Sequence, residues 1–313
     1  MGHITLEQIE VFTPLDKSWL ITLGILDLIN DRQQNIINFL DSQDPSTLGT
    51  DLRALKGIAE AWPNRFTQAL DPGESGRLYR TVKWYYWQNN LDLELPTSET
   101  LTARRARITN NPAIIHWSPE QLLALDNNTT QWATTQYIFS PRDQRRKVAP
   151  RFHHGKKLVR SADFKLRVGY GATEHFDSKK EKGEKWQARI DQTIFNQYVA
   201  FIECLRTGTM CYAGEQAEDY CFERAFDLVD EKEGRLIYPS VGGHETDRFK
   251  EMERVITIAD KTGVIDSKDH RVVQAMVMRA TAKGLSYTLA NPGALNKTQP
   301  KFLEFVDYVR NNV

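Results

Sequence analysis

Apolar residues return at helical spacing in a succession of separate stretches along the chain. These stretches lie near 18–30 (Leu20, Ile21, Leu23, Ile25, Leu26), 51–61 (Leu52, Leu55, Ile58), 76–88, 130–139, 192–206 (Tyr198, Phe201, Ile202), 217–229, 247–262 (Met252, Val255, Ile256, Ala259) and 269–283. Asp, Ser, Thr or Gly usually stands just ahead of each, as a helix start requires. The rhythm predicts alternating βα units rather than an all-β or all-α chain. Residues 141–189 break it, with a basic run (Arg142, Arg145, Arg146, Lys147, Arg151, Lys156, Lys157, Arg160) followed by the charged stretch Asp177 to Lys185. The first part predicts irregular chain or a strand pair, the second an exposed crossing between domains.

The last long helical pattern carries an unusual charge. Lys268-Asp269-His270-Arg271 leads into the apolar run Val272 to Met278, so Asp269 is placed as the N-cap and Arg271 in the first turn. A cation there opposes the helix dipole, which favours anions at that end. A bound phosphate or carboxylate would account for it, because free backbone N–H groups and a guanidinium fork suit the same anion. The plain alternative is a surface arginine paired with Asp269 or Glu304.

Composition changes the picture by exclusion. With 313 residues and 40% hydrophobic content, the chain exceeds one ordinary domain and can bury substantial cores. Lys+Arg and Asp+Glu balance at 41 each, so no global field draws the protein to nucleic acid or membrane. The basic run with His153 and His154 lacks the interleaved aromatics that stack on bases. No apolar run is long enough to span a bilayer and the start shows no signal-peptide pattern, so a cytoplasmic location is expected. Cys204, Cys211 and Cys221 form no CxxC pair and are expected to be buried or half-buried thiols in a reducing compartment, with no metal site.

Upstream of the Asp269 motif stands Gly242-Gly243-His244-Glu245-Thr246-Asp247-Arg248-Phe249-Lys250-Glu251-Met252, and downstream, after one strand, Asn296-Lys297-Thr298-Gln299-Pro300. The order of Glu-Thr-Asp-Arg, helix, Gly, Asp-His-Arg, strand, Asn-Pro and Lys-Thr-x-Pro resembles the C-terminal third of 5-enolpyruvylshikimate-3-phosphate synthase and its enolpyruvyl transferase relatives. Further motifs extend the likeness. Pro14-Leu15-Asp16-Lys17-Ser18 is similar to the family's N-terminal Lys-Ser, and Asp71-Pro72-Gly73-Glu74-Ser75-Gly76 to its Gly-rich turn. Thr129-Thr130-Gln131 resembles the Ser-Ser-Gln element that faces a phosphorylated acceptor, and Ile190-Asp191-Gln192-Thr193 the corresponding element of the second half.

The resemblance implies a two-domain inside-out α/β (α+β) barrel built from shortened, repeated βαβ-like units. Residues 17–186 would form one domain and 1–16 plus 187–313 the other, with the active site in the cleft between them. It also implies a transferase of aromatic amino acid biosynthesis (the shikimate pathway), a monomer working on small anionic substrates, with phosphoenolpyruvate as co-substrate and no cofactor. The reaction moves an enolpyruvyl group from phosphoenolpyruvate to a hydroxyl and releases phosphate. Cations must hold a phosphate and a carboxylate while groups of alternating protonation serve the methylene carbon and the hydroxyl. The motifs assign phosphoenolpyruvate binding to Lys17, Gly73, Arg248, Arg271 and Lys297, and catalysis to Lys17, Asp219, Glu245 and Lys297. Acceptor binding falls to Ser18, Thr129, Thr130, Gln131, Asp219 and His244. Glu218 competes with Asp219 for the second carboxylate, and Arg104, Arg105 and Arg107 compete for the arginine-rich loop.

Departures from the pattern bear on the acceptor. Leu20-Ile21-Thr22-Leu23 stands where the family's first helix presents an arginine for the shikimate carboxylate, and His244 stands where it has a lysine. Strand pairs are missing after Gly214 and between Gly263 and Asp269. No cysteine lies near the arginine-rich loop, which disfavours a UDP-sugar enolpyruvyl transferase. The expected functions are an enolpyruvyl transferase with an altered acceptor, a minimised synthase whose carboxylate anchor is another residue such as Arg77 or Arg151, or a catalytically silent homologue binding an anionic metabolite or a protein.

Overall fold

The computed structural model describes residues 4–29, 31–89, 91–96, 98, 190–210, 219–237 and 247–313, together with the backbone of short strands at 152–154, 157–159, 164–167 and 173–176. The first half holds α1 Leu6–Glu10, α2 Lys17–Ile29, α3 Gln33–Asp41, α4 Thr50–Ala61 and α5 Gly76–Gln88, of which α2, α4 and α5 fall where the periodicity places them and α1 and α3 were not foreseen; the expected stretch 130–139 lies outside the described residues. In the second half follow α6 Gln192–Thr207, α7 Tyr220–Ala225, α8 Glu231–Ile237, α9 Arg248–Thr262, α10 His270–Ala282 and α11 Phe302–Asn312. The backbone strands are β1 Phe152–His154 paired antiparallel with β2 Lys157–Val159, and β3 Phe164–Arg167 paired antiparallel with β4 Thr173–Phe176. Among the described residues no helix is long and apolar enough to cross a membrane.

Contacts divide the chain into two units, Met1–Lys17 with Asp44–Gly49 and Ala188–Val313, and Ser18–Gln43 with Thr50–Gln187. In the second of these, α2 to α5 bury Leu20, Ile21, Ile36, Leu40, Leu55, Ile58 and Tyr86. Buried Asp27 receives Arg32 at 2.8 Å and Asn35 at 3.1 Å, closing the turn between α2 and α3. Residues 31–89 connect their helices by turns and 3-10 segments, so the strands that the βα rhythm places there are not found among the described residues.

The first unit is built differently. Tyr198 of α6 stacks on Phe305 of α11 with ring centroids 3.8 Å apart, Phe12 packs against Phe305 and Tyr308, and Tyr220 meets Phe249 at 4.2 Å. Gly234 of α8 lies against the Tyr220 ring, where a Cβ would come within 2.4 Å of ring carbons. Helix α10 forms the centre: Val272, Val273, Met276, Val277 and Met278 are all buried. It joins β5 Val264–Ile265 to β6 Thr288–Leu289, which pair in parallel as Val264 with Thr288 and Ile265 with Leu289. This is a βαβ unit with the Asp-His-Arg motif at its turn.

Candidate functional site

Aspartates cap the helices that meet at the start of α10, and their second oxygens reach arginines. Asp269 accepts the Arg271 N–H at 2.9 Å through Oδ1, fulfilling the cap expected from sequence, and the Arg248 Nε at 2.9 Å through Oδ2. Asp219 accepts the N–H groups of Cys221 and Phe222 at 3.0 and 3.4 Å through Oδ1, and the Arg271 guanidinium through Oδ2. Each carboxylate thus satisfies its own helix and fixes a cation at once. The anion that answers Arg271 is Asp219 from another helix start, in place of the Asp269 or Glu304 side-chain pairing weighed from sequence.

A second approach comes from the N-terminal segment. Leu15 and Ile190 form an antiparallel bridge, and the Asp191 N–H donates to the Pro14 carbonyl at 2.8 Å. This register sets Pro14 opposite Asp191, with Asp16 and Lys17 following within three residues, and Asp191 Oδ1 caps α6 by accepting the Ile194 N–H at 3.1 Å. Lys297 ends the 3-10 helix Pro292–Lys297. Its carbonyl oxygen would stand 2.4 Å from a Cβ at Gly49, so that approach requires glycine. Lys301 reaches Asp44 of the same segment at 3.2 Å.

Electrostatics tie these groups into one neighbourhood. His270 is buried, and loss of hydration holds its imidazole well below the usual histidine value; Lys17, Arg271 and Lys297 push the same way against Asp269. Burial, with Asp16 beside it, raises Asp191 above the ordinary carboxylate value, against the Ile194 N–H, Arg271 and Lys17. Asp269 is desolvated too, yet the Arg248 charge and the hydrogen bonds from Arg248 and the Arg271 N–H outweigh this, so its carboxyl is held far below the ordinary range. Burial pushes the Cys221 thiol well up, which makes it unreactive; Cys204 is likewise a buried thiol, as expected.

Of the residues singled out from sequence, Lys17, Asp219, Arg248, Arg271 and Lys297 belong to this neighbourhood, although they come from separate segments. Gly73 lies in the other unit at φ +56°, its N–H donating to Asp71 Oδ1 at 2.8 Å. The side chain of Ser18 and residues Arg104, Arg105, Arg107, Thr129, Thr130, Gln131, Glu218, His244 and Glu245 lie outside the described residues. Asp16, His270 and Asp191 were not singled out for the chemistry. Their signal was adjacency: Asp16 precedes Lys17, His270 precedes Arg271, and Asp191 opens a helix after an apolar residue. No family model, curated protein or solved structure matches the chain.

Proposed function

We propose that the start of α10 is the phosphoenolpyruvate-gripping half of an enolpyruvyl transferase, which transfers the enolpyruvyl group to a hydroxyl of an anionic, shikimate-3-phosphate-like acceptor. The observation that carries this reading is the gathering of Lys17, Arg271 and Lys297 around a neutral, buried His270 at the positive end of a helix. Cations held there against the dipole suit a ligand that carries both a phosphate and a carboxylate. Asp219 and Asp269 keep the arginine forks oriented before a ligand arrives, and an incoming anion would share Arg271 with Asp219. Asp191, whose burial and neighbour Asp16 raise it above the ordinary carboxylate value, adds a candidate carboxyl group for proton transfer. The acceptor differs from the ordinary one in this reading, because Leu20 to Leu23 offer no arginine to a carboxylate.

Phosphate release from phosphoenolpyruvate is expected only with a suitable hydroxyl acceptor. Glu245→Gln should keep phosphoenolpyruvate affinity and depress turnover, and equal loss of both would make Glu245 structural. The other reading, a silent anion binder, has one observation in its favour: Asp219, a catalytic candidate, is already occupied by its helix cap and Arg271. Binding of phosphoenolpyruvate with no phosphate release across hydroxylated phosphate acceptors would select it.

A further inference from the structure

A chain of buried amides runs beneath the proposed site. Gln299 Nε2 donates to Gln274 Oε1 in a short hydrogen bond, and Gln274 Nε2 donates to Gln197 Oε1 at 3.3 Å. Gln197 and Gln274 are each 4% exposed and Gln299 is 1% exposed, so all are core residues. Each glutamine lies on, or just after, an element that carries a residue of the neighbourhood. Gln299 stands two positions after Lys297, Gln274 one turn after Arg271 on α10, and Gln197 on α6, the helix capped by Asp191.

Glutamine is a costly choice for such positions. A buried amide left without a partner costs about 1–3 kcal/mol, whereas apolar side chains of similar size would pack with no such demand. A directional hydrogen-bond chain, unlike a leucine cluster, admits few relative placements of the elements it links. The backbone bonds of the turn after Lys297 run within it: the N–H groups of Thr298 and Gln299 donate to the Leu295 carbonyl at 3.3 and 2.8 Å, and the Phe302 N–H to the Gln299 carbonyl at 3.1 Å, so the amide chain is what ties it to α10 and α6.

We infer that Gln197, Gln274 and Gln299 are positioning residues, which lock the Lys297 turn to the helix start carrying Arg271 and so set the spacing between those two cations. The inference rests on the phosphoenolpyruvate reading for what the spacing serves, though not for the lock itself. A doubly anionic ligand needs its cations at a fixed separation, and a misplacement of the order of 1 Å costs about a hundredfold where geometry is matched.

The test uses the whole chain with Gln274→Leu and the triple variant Q197L/Q274L/Q299L. The single variant strands two buried amides and should lose stability. The triple variant removes every member of the chain and should recover much of it. Hydrogen exchange at the Thr298 and Gln299 amides is expected to rise about tenfold in both, with the core of α6 and α10 unchanged in the triple variant. Phosphoenolpyruvate affinity, read by calorimetry, should fall about tenfold in both. A triple variant that regains stability together with wild-type exchange and affinity would show the amides to be mere packing, and overturn the inference. Absence of phosphoenolpyruvate binding to the wild-type protein would sink the functional reading alone; exchange at Thr298 and Gln299 would then decide the lock by itself.

Discussion

The two ends of α10 each hold an arginine, and they hold it for different reasons. At the C-terminal end Arg279 has a side chain only 7% exposed, donates to the Ala225 carbonyl at 2.7 Å and meets Asp227 and Asp260 at 3.2 Å each. The helix dipole favours a cation there, and the fold supplies it with a carbonyl and two carboxylates. At the N-terminal end Arg271 opposes the dipole, is 31% exposed, and shares its surroundings with Lys17 and Lys297. The dipole alone does not favour positive charge at that end. The difference separates a cation placed as the dipole favours from one placed against it, and it can be broken or sharpened by substitution.

The largest effect is expected at the cap that holds the N-terminal end together. Asp269→Ala removes the carboxylate that meets Arg248 in a largely buried pair, together with the α10 cap, and should cost about 3–5 kcal/mol in urea unfolding. Asp269→Asn should recover about 1 kcal/mol of this by restoring the cap. Next comes Lys297→Ala, which removes a charge-assisted contact and should weaken phosphoenolpyruvate binding by about 1.5–3 kcal/mol with stability nearly unchanged. The opposite pattern is expected at the other end: Arg279→Met should lose about 1–3 kcal/mol of stability, chiefly by stranding the Ala225 carbonyl, and leave phosphoenolpyruvate affinity alone. If both substitutions moved affinity equally, the contrast between the ends would collapse.

A smaller effect should appear in pH dependence. His270 is held neutral when folded, while the unfolded chain takes up a proton near the ordinary value of 6.5. The unfolded state then binds more protons, so this contribution is full above that pH and is lost as pH falls below it, with a slope approaching about 1.4 kcal/mol per pH unit. His270→Gln should flatten that limb of the stability profile; an unchanged slope would place the titrating group elsewhere.

Much of the helical framework was readable in the chain because period and cap coincide. Asp191, Asp219, Asp247 and Asp269 each stand at the start of an apolar pattern, and each caps a helix. The strands were not readable in the same way. Short apolar runs such as those between the helices of residues 31–89 suit a buried strand or a helix flank equally, and there the chain forms turns. Motif order picked out Lys17, Arg248, Arg271 and Lys297, since cations at helix starts and after prolines carry a local signature. The pairing of Arg271 with Asp219 had none, because 52 positions separate them and only tertiary packing joins them. The amide chain was silent for the same reason: glutamine in an amphipathic pattern reads as surface.

The central claim is that the start of α10 binds phosphoenolpyruvate through Arg271 and Lys297. Calorimetric titration of phosphoenolpyruvate into the wild-type protein, Lys297→Ala, Arg271→Lys and Arg279→Met tests it most directly. Arg271→Lys keeps the charge opposite Asp219 while removing the planar fork. The account predicts binding to wild type and to Arg279→Met, with affinity reduced at least tenfold in the other two. No heat of binding to wild type at millimolar ligand, or equal affinity across all four proteins, would contradict it.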